Sequence, residues 1–92
     1  IRIIYLNNLS KVLLETDNDK KIQLLKECID SAPSYDLKVY RTIDLVDLYI
    51  NINKIEDAYT IISNCFDYID KLSFNAKNEL NENYGKIKML NK

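Results

Sequence analysis

The stretch LKVYRTIDLVDLYINI, residues 37–52, carries apolar side chains around most of the circumference of a helix. A surface helix of a globular protein has one apolar stripe, so a helix that is apolar on most sides is packed on two sides. The polar side chains recur every three or four residues and form one narrow stripe, which consists of Arg41, Asp44, Asp47 and Asn51. The sequence therefore predicts that this segment is the middle helix of a stack.

The segment that follows, residues 54–70, has the clearest amphipathic pattern in the chain. Its apolar stripe consists of Ile55, Ala58, Tyr59, Ile62, Cys65, Phe66 and Ile69. Asn53 stands at the N-cap position, and Glu56 three residues later completes a pair of the capping-box type. We therefore expect a short turn after the middle helix and a helix over residues 54–70.

An earlier segment repeats this pattern, with an apolar stripe of Ile22, Leu25, Cys28, Ile29 and Ala32. Asn18 or Asp19 is in place to cap it, and Pro33 is expected to end it because proline cannot continue a helix. A shift of 37 residues superimposes the two helices: Leu24-Leu25 on Ile61-Ile62, Cys28 on Cys65, Ile29 on Phe66, and Asp30 on Asp67. The chain thus contains an internal repeat.

The same shift superimposes the segments that precede these two helices. It places Leu6, Leu9, Val12 and Leu13 on Ile43, Val46, Tyr49 and Ile50. Each repeat is therefore predicted to be a helix pair. A period of roughly 34 to 47 residues is typical of helical solenoids, because one hairpin cannot cover its own apolar faces and stacks on a neighbour.

The last segment, residues 73–90, is predicted to be an amphipathic closing helix. One face carries Ala76, Leu80, Tyr84, Ile87 and Leu90. Asn83 falls where Val46 stands one repeat earlier, which is expected if nothing further stacks there. Gly85 costs a helix interior about 1 kcal/mol relative to alanine, so we expect the end of this helix to bend or fray.

At Leu45, Tyr49, Asn53, Ile55 and Ala58 the second repeat resembles the tetratricopeptide repeat, and the best match covers residues 39–72. The resemblance implies a right-handed superhelix in which the first helix of each pair lines a groove that binds peptides or proteins. By position, the groove residues would be Asn7 and Ser10 in the first repeat, and Tyr40, Asp44, Asp47 and Asn51 in the second.

Together these patterns predict an all-α chain of five helices, built as antiparallel helix pairs stacked in a short right-handed α-solenoid. The single domain, 1–92, divides into repeat one over 2–35, repeat two over 36–72 and a capping helix over 73–90. One glycine and one proline leave little chemistry for tight β-turns, which favours the same class. The chain begins with Ile1, and we expect it to be part of a longer protein.

The residue types argue against catalysis. The chain has no histidine, and its single glycine excludes the phosphate-binding and dinucleotide-binding fingerprints. Asp44 and Asp47 could form a paired carboxylate site, but Arg41 lies one turn away and favours a solvated or peptide-contacting face. We expect neither enzymatic activity nor a cofactor, and no metal site.

The two cysteines stand at equivalent positions of the repeat. Such positions on successive helix pairs lie about 8–10 Å apart or more, beyond the reach of a disulfide. Cys28 and Cys65 are therefore predicted to be free thiols in the core, consistent with a reducing, cytoplasmic location.

The charges, 13 basic and 14 acidic, are interspersed, and the apolar runs are short. We therefore expect no direct nucleic-acid binding by this segment and no membrane contact.

The leading hypothesis is a protein- or peptide-binding module. One alternative is the C-terminal, peptide-sensing part of a bacterial transcription regulator. The other is a structural domain that forms a homodimer through the closing helix, using Ala76, Leu80, Ile87 and Leu90.

Overall fold

The computed structural model describes residues 2–90, and these residues contain helices and no β-strand. The five α-helices are α1 (Arg2–Leu14), α2 (Asn18–Ser31), α3 (Tyr35–Asn51), α4 (Ile55–Ser63) and α5 (Phe74–Leu90), and a 3₁₀ segment, Asn64–Lys71, follows α4 directly. Each of α1, α2, α3 and α4 packs against the next α-helix along the chain. The predicted all-α class with five helices is confirmed.

Helix α3 is the centre of the fold, as its apolar circumference predicts. It contacts α2, α4, the 3₁₀ segment and α5. Its buried side chains are Val39, Thr42, Leu45, Val46 and Tyr49. The Thr42 hydroxyl donates to the carbonyl oxygen of Lys38 at 2.7 Å, so the one polar member of this set is satisfied within the helix. Packing on more than one side is therefore the observed environment of α3.

The turn between α3 and α4 differs from the prediction in its chemistry. Asn53 does not cap α4; it adopts a left-handed conformation, with φ 62°, just after the end of α3. Its N–H donates to the Ile50 carbonyl at 3.0 Å, and the N–H of Lys54 donates to the Tyr49 carbonyl at 2.7 Å. These are the two bonds of a Schellman motif, in which asparagine is tolerated because its short polar side chain suits the left-handed region. The turn is short, as expected.

The helix predicted over residues 54–70 is α-helical only as far as Ser63. Beyond it the chain tightens into the 3₁₀ segment, in which Tyr68 has non-helical angles, φ −126° and ψ 28°. The Ser63 hydroxyl donates to the Tyr59 carbonyl at 2.7 Å, a side-chain bond that competes with the backbone and often bends a helix. The Tyr68 ring lies 4.8 Å from that of Tyr35 and thus packs on the start of α3.

Helix α2 begins and ends close to the predicted positions. Its cap is Asp17 rather than Asn18 or Asp19: the Asp17 carboxylate accepts the N–H of Lys20 at 3.0 Å. The helix ends two residues before Pro33, since the residue before a proline disfavours helical angles. The N-cap position is therefore one or two residues earlier than predicted.

Helix α5 continues through Gly85 to Leu90, so the predicted bend or fraying at this glycine is not observed within the described residues. Its start is capped by Ser73, whose hydroxyl accepts the N–H of Ala76 at 3.2 Å. Asn83, expected to lack a packing neighbour, keeps only 7% of its surface exposed. The closing helix therefore packs along most of its length.

Burial of α5 also bears on the homodimer alternative. Ala76, Leu80 and Ile87 have no exposed surface, because they lie in the core of the chain itself. Of the four residues predicted for the dimer contact, only Leu90 is accessible, with 50% of its surface exposed. A contact through Ala76, Leu80 and Ile87 would require α5 to leave the core, and the homodimer stays a prediction in which Leu90 is the accessible residue.

Candidate functional site

The exposed stripe of α3 lies between two surface grooves. The first, which we call the α1–α3 groove, has a volume of about 350 Å³. Its walls are formed by Leu9, Val12 and Leu13 from α1, Lys21 and Leu25 from α2, and Arg41, Asp44, Asp47, Leu48 and Asn51 from α3. Apolar side chains of α1 thus face polar and charged side chains of α3 across this groove.

The charges of the α1–α3 groove compensate each other. Arg41 Nε lies 3.2 Å from the Asp44 carboxylate, one helical turn away. Partial removal of the Asp44 carboxyl from water raises its pKa; the nearby Arg41 guanidinium acts in the opposite direction, while Asp47 raises the pKa and Lys21 lowers it. Because cations and carboxylates are both present, this groove has no strong preference for a ligand of one sign.

The second groove, which we call the α3–α5 groove, is larger, about 640 Å³. Its lining residues are Ile43 and Asp47 from α3, and Glu79, Glu82, Asn83, Gly85, Lys86 and Met89 from α5. Asp47 belongs to both grooves. Apart from Lys86, the charged lining residues are carboxylates, so this groove is acidic, with an apolar surface at Ile43 and Met89.

The structure brings together half of the predicted groove residues. Asp44, Asp47 and Asn51 are exposed on α3 and line the α1–α3 groove. Tyr40 is half-buried and packs against the core.

The two predicted residues of α1 lie elsewhere. Asn7 and Ser10 are exposed, and α1 presents Leu9, Val12 and Leu13 to the groove instead. The predicted site therefore extends over α3 alone, and α1 contributes apolar residues that were not among the predicted site residues.

The sequence patterns did not identify the acidic residues of α5 as site residues. Glu79 and Glu82 stand on the polar side of a predicted closing helix, where exposed carboxylates are ordinary. The sequence signal for this part of α5 is the 37-residue shift. It places Glu82 on Leu45 and Asn83 on Val46, and both of these α3 residues are buried. Polar residues at repeat positions that are apolar one repeat earlier mark where α5 departs from the pattern.

The two cysteines lie in the core, with 0% of Cys28 and 1% of Cys65 exposed, and both are free thiols. Burial raises the pKa of the Cys28 thiol, chiefly by removing it from water. A buried thiol with a raised pKa is a poor nucleophile, because the thiolate is the reactive form. Within residues 2–90, the His, Cys, Asp and Glu side chains form no group of three that could hold a metal ion.

The outer face of α1 is unusually apolar for an exposed helix. The exposed large apolar side chains of α1 are Ile3, Ile4, Leu6, Leu13 and Leu14, of which Leu13 also lines the α1–α3 groove. None of the helices in the described part of the chain combines the length and the hydrophobicity needed to cross a membrane.

Comparison with known proteins adds no relative: no family model matches the chain, and no match is found among curated proteins or solved structures. The class that the observations define is an all-α domain whose central helix has a groove on each side of its polar stripe.

Proposed function

We propose that this chain is a protein- or peptide-binding module of the tetratricopeptide type, with α1–α2 and α3–α4 as antiparallel helix pairs in a short right-handed solenoid that α5 closes. The observation that carries the proposal is the polar stripe of α3. Asp44, Asp47 and Asn51 of this stripe are exposed between two grooves and Arg41 is half-buried, although α3 is packed on its other sides. A surface of this kind suits an elongated ligand that follows the helix.

The repeat supports the stacked arrangement. Four pairs of positions separated by 37 residues are buried alike: Leu25 with Ile62, Cys28 with Cys65, Val39 with Ala76, and Val46 with Asn83. Matching burial at matching positions is expected when successive helix pairs repeat one packing scheme. The buried free thiols are consistent with a reducing compartment, and we propose a cytoplasmic location on this ground.

A bound segment would use both kinds of wall in the α1–α3 groove. The side chains of Asp44, Asp47 and Asn51 supply hydrogen-bond acceptors, and Leu9 and Leu13 offer apolar surface opposite them. Acceptors beside an apolar wall are the usual composition of a peptide-binding groove, in which polar groups fix the orientation and apolar contacts add affinity. This role requires no catalytic group.

A peptide selection tests the proposal. A random peptide library is selected on the immobilised protein, and the affinity of each enriched peptide is measured by fluorescence anisotropy. The double variant Asp44→Lys/Asp47→Lys is expected to lose about tenfold or more in affinity for peptides that contact α3, since the hydrogen-bond donors of the peptide lose their carboxylate acceptors.

The matched control is Asp67→Lys/Asp70→Lys, which makes the same charge change at exposed positions of the 3₁₀ segment, outside both grooves. This control is expected to bind like the unmodified chain. Recovery of no enriched peptide, or equal affinity for the α3 double variant and the control, would contradict the proposed function.

A further inference from the structure

We propose that the α3–α5 groove binds a basic segment of a partner protein, with a Lys or Arg side chain among Asp47, Glu79 and Glu82 and an adjacent apolar side chain on Ile43 and Met89. This inference rests on the proposed function and names the partner chemistry that one of its two grooves selects. It depends on four observations, which concern charge, an unused acceptor, an unexplained glycine and exposed apolar surface.

Among residues 2–90, no ion pair neutralises the carboxylates of this groove. In this part of the chain, neither Glu79 nor Glu82 has a basic group within 4 Å, and Asp47 likewise has none. The only other charged lining residue is Lys86. Three carboxylates from two helices that converge on one cavity create a negative potential, and this favours a cationic ligand by charge complementarity.

Asn83 supplies the second observation. Its side chain lines the groove although only 7% of the residue is exposed. Its Nδ2 donates to the Glu79 carbonyl at 2.8 Å, but none of the hydrogen bonds among residues 2–90 ends on its Oδ1. This oxygen is not among the fully buried unsatisfied atoms and so keeps contact with solvent, and Asn83 lines the groove. A nearly buried side chain with an unused acceptor suits a donor from a ligand.

Gly85 supplies the third observation. It stands inside α5, where glycine weakens a helix, yet a Cβ placed there would meet nothing within 4 Å. No contact within the described chain therefore requires glycine at this position. Because Gly85 lines the groove, the missing side chain leaves room for a ligand to approach the backbone of α5 closely.

The fourth observation is the exposed sulfur side chain. Met89 has 73% of its surface exposed and lies in the groove with Ile43. Methionine adapts its shape to different apolar partners and is frequent at binding surfaces. The groove thus offers carboxylates for a cation and a deformable apolar surface for its neighbour, which is the chemistry of a basic amphipathic segment and not of a small inorganic cation.

The test uses the peptides from the selection on the unmodified chain. The groove is expected to enrich peptides in which Lys or Arg is adjacent to a large apolar residue, and Glu79→Lys/Glu82→Lys is expected to weaken their binding about tenfold or more. Asp67→Lys/Asp70→Lys, with the same charge change, is expected to bind them normally. The inference is overturned if the enriched peptides lack Lys and Arg, or if Glu79→Lys/Glu82→Lys binds them as well as the unmodified chain does.

A second variant separates binding from folding. Gly85→Ala is expected to raise the midpoint of thermal unfolding and yet to weaken binding of the same peptides about threefold or more, because the methyl group occupies ligand space. If Gly85→Ala is more stable and binds these peptides with unchanged affinity, the proposal that the ligand approaches the backbone of α5 closely is overturned. Equal competition by spermidine would reassign the groove to a polyamine and also overturn the inference.

The outcomes distinguish this inference from the proposed function. Peptides whose binding is lost in Asp44→Lys but kept in Glu79→Lys/Glu82→Lys would retain the peptide-binding function and overturn the assignment of the α3–α5 groove. Failure to enrich any peptide would overturn both.

Discussion

The carboxylate of Asp36 accepts a hydrogen bond from the backbone N–H of Ser73 at 2.9 Å, and so joins the first turn of α3 to the residue that caps α5. The two residues are 37 positions apart, the period of the repeat. The bond fixes the start of α5 relative to α3, and these helices form the acidic groove. The Ser73 side chain and, to a smaller extent, its backbone N–H lower the pKa of the Asp36 carboxyl.

Removal of this bond is expected to have a modest effect that depends on pH. Asp36→Ala should lower the free energy of unfolding by about 0.5–1 kcal/mol at pH 7, because the bond is near water. The folded pKa is lowered, so the stabilisation is present above the ordinary pKa of 3.8 and is lost as the pH falls through the folded value. Urea unfolding at pH 7 and pH 3 checks this, with Asp67→Ala as control. An equal loss of unfolding free energy at both pH values would show that the ionised carboxylate does not make the stabilising bond.

The turn after α3 offers a direct test of the role of Asn53. Because its φ is 62°, Asn53→Gly is expected to be neutral or stabilising, whereas Asn53→Ser should cost about 1 kcal/mol. An N-cap role would give the reverse order, since serine caps helices as well as asparagine does. Thermal unfolding of the two variants distinguishes the roles.

Ala58 tests the contact between α3 and α4. It has no exposed surface, so Ala58→Leu is expected to overpack the core and to cost about 1–3 kcal/mol. Asp47→Ala, on the exposed stripe, should change the stability by less than about 0.5 kcal/mol. Urea unfolding measures both. An unaffected Ala58→Leu beside a strongly destabilised Asp47→Ala would mean that the buried and exposed faces have been exchanged.

Substitution of Gly85 measures how much the glycine lowers the stability of the chain. Gly85→Ala is expected to raise the free energy of unfolding by about 0.5–1 kcal/mol, since alanine favours the helix and the added methyl group meets no neighbour within 4 Å. The control is Asn78→Ala at an exposed position of the same helix, where a smaller gain is expected. Destabilisation by Gly85→Ala would indicate a close contact at this position.

The sequence predicts the fold class because α3 is apolar around most of its circumference, a pattern that only a central helix shows. It fails at several helix ends, and at two of them the reason is local. Asparagine is favoured both as an N-cap and in the left-handed conformation, so the identity of Asn53 could not decide between them. The 3₁₀ segment keeps the apolar spacing of a helix, so periodicity alone could not locate the break after Ser63.

The site was predictable only where it lies on one helix. Asp44, Asp47 and Asn51 follow from the period of α3 itself. Glu79 and Asn83 reach the same surface because α5 packs beside α3, a relation between helices that no single-helix pattern contains. The apolar wall from Leu9 and Leu13 was missed for a related reason: an apolar side chain beside a groove has the same sequence pattern as one in a core.

The central claim, that the exposed stripe of α3 and its flanking grooves bind a peptide, is tested most directly by NMR. The tightest peptide from the selection is titrated into ¹⁵N-labelled protein, and amide shifts are followed to saturation. We expect saturable shifts concentrated in residues 43–51, together with residues 9–13 or residues 79–89 according to the groove that the peptide occupies, and small changes in α4. Saturable shifts confined to the outer face of α1, at Ile3 and Leu14, or to α4, would contradict this claim.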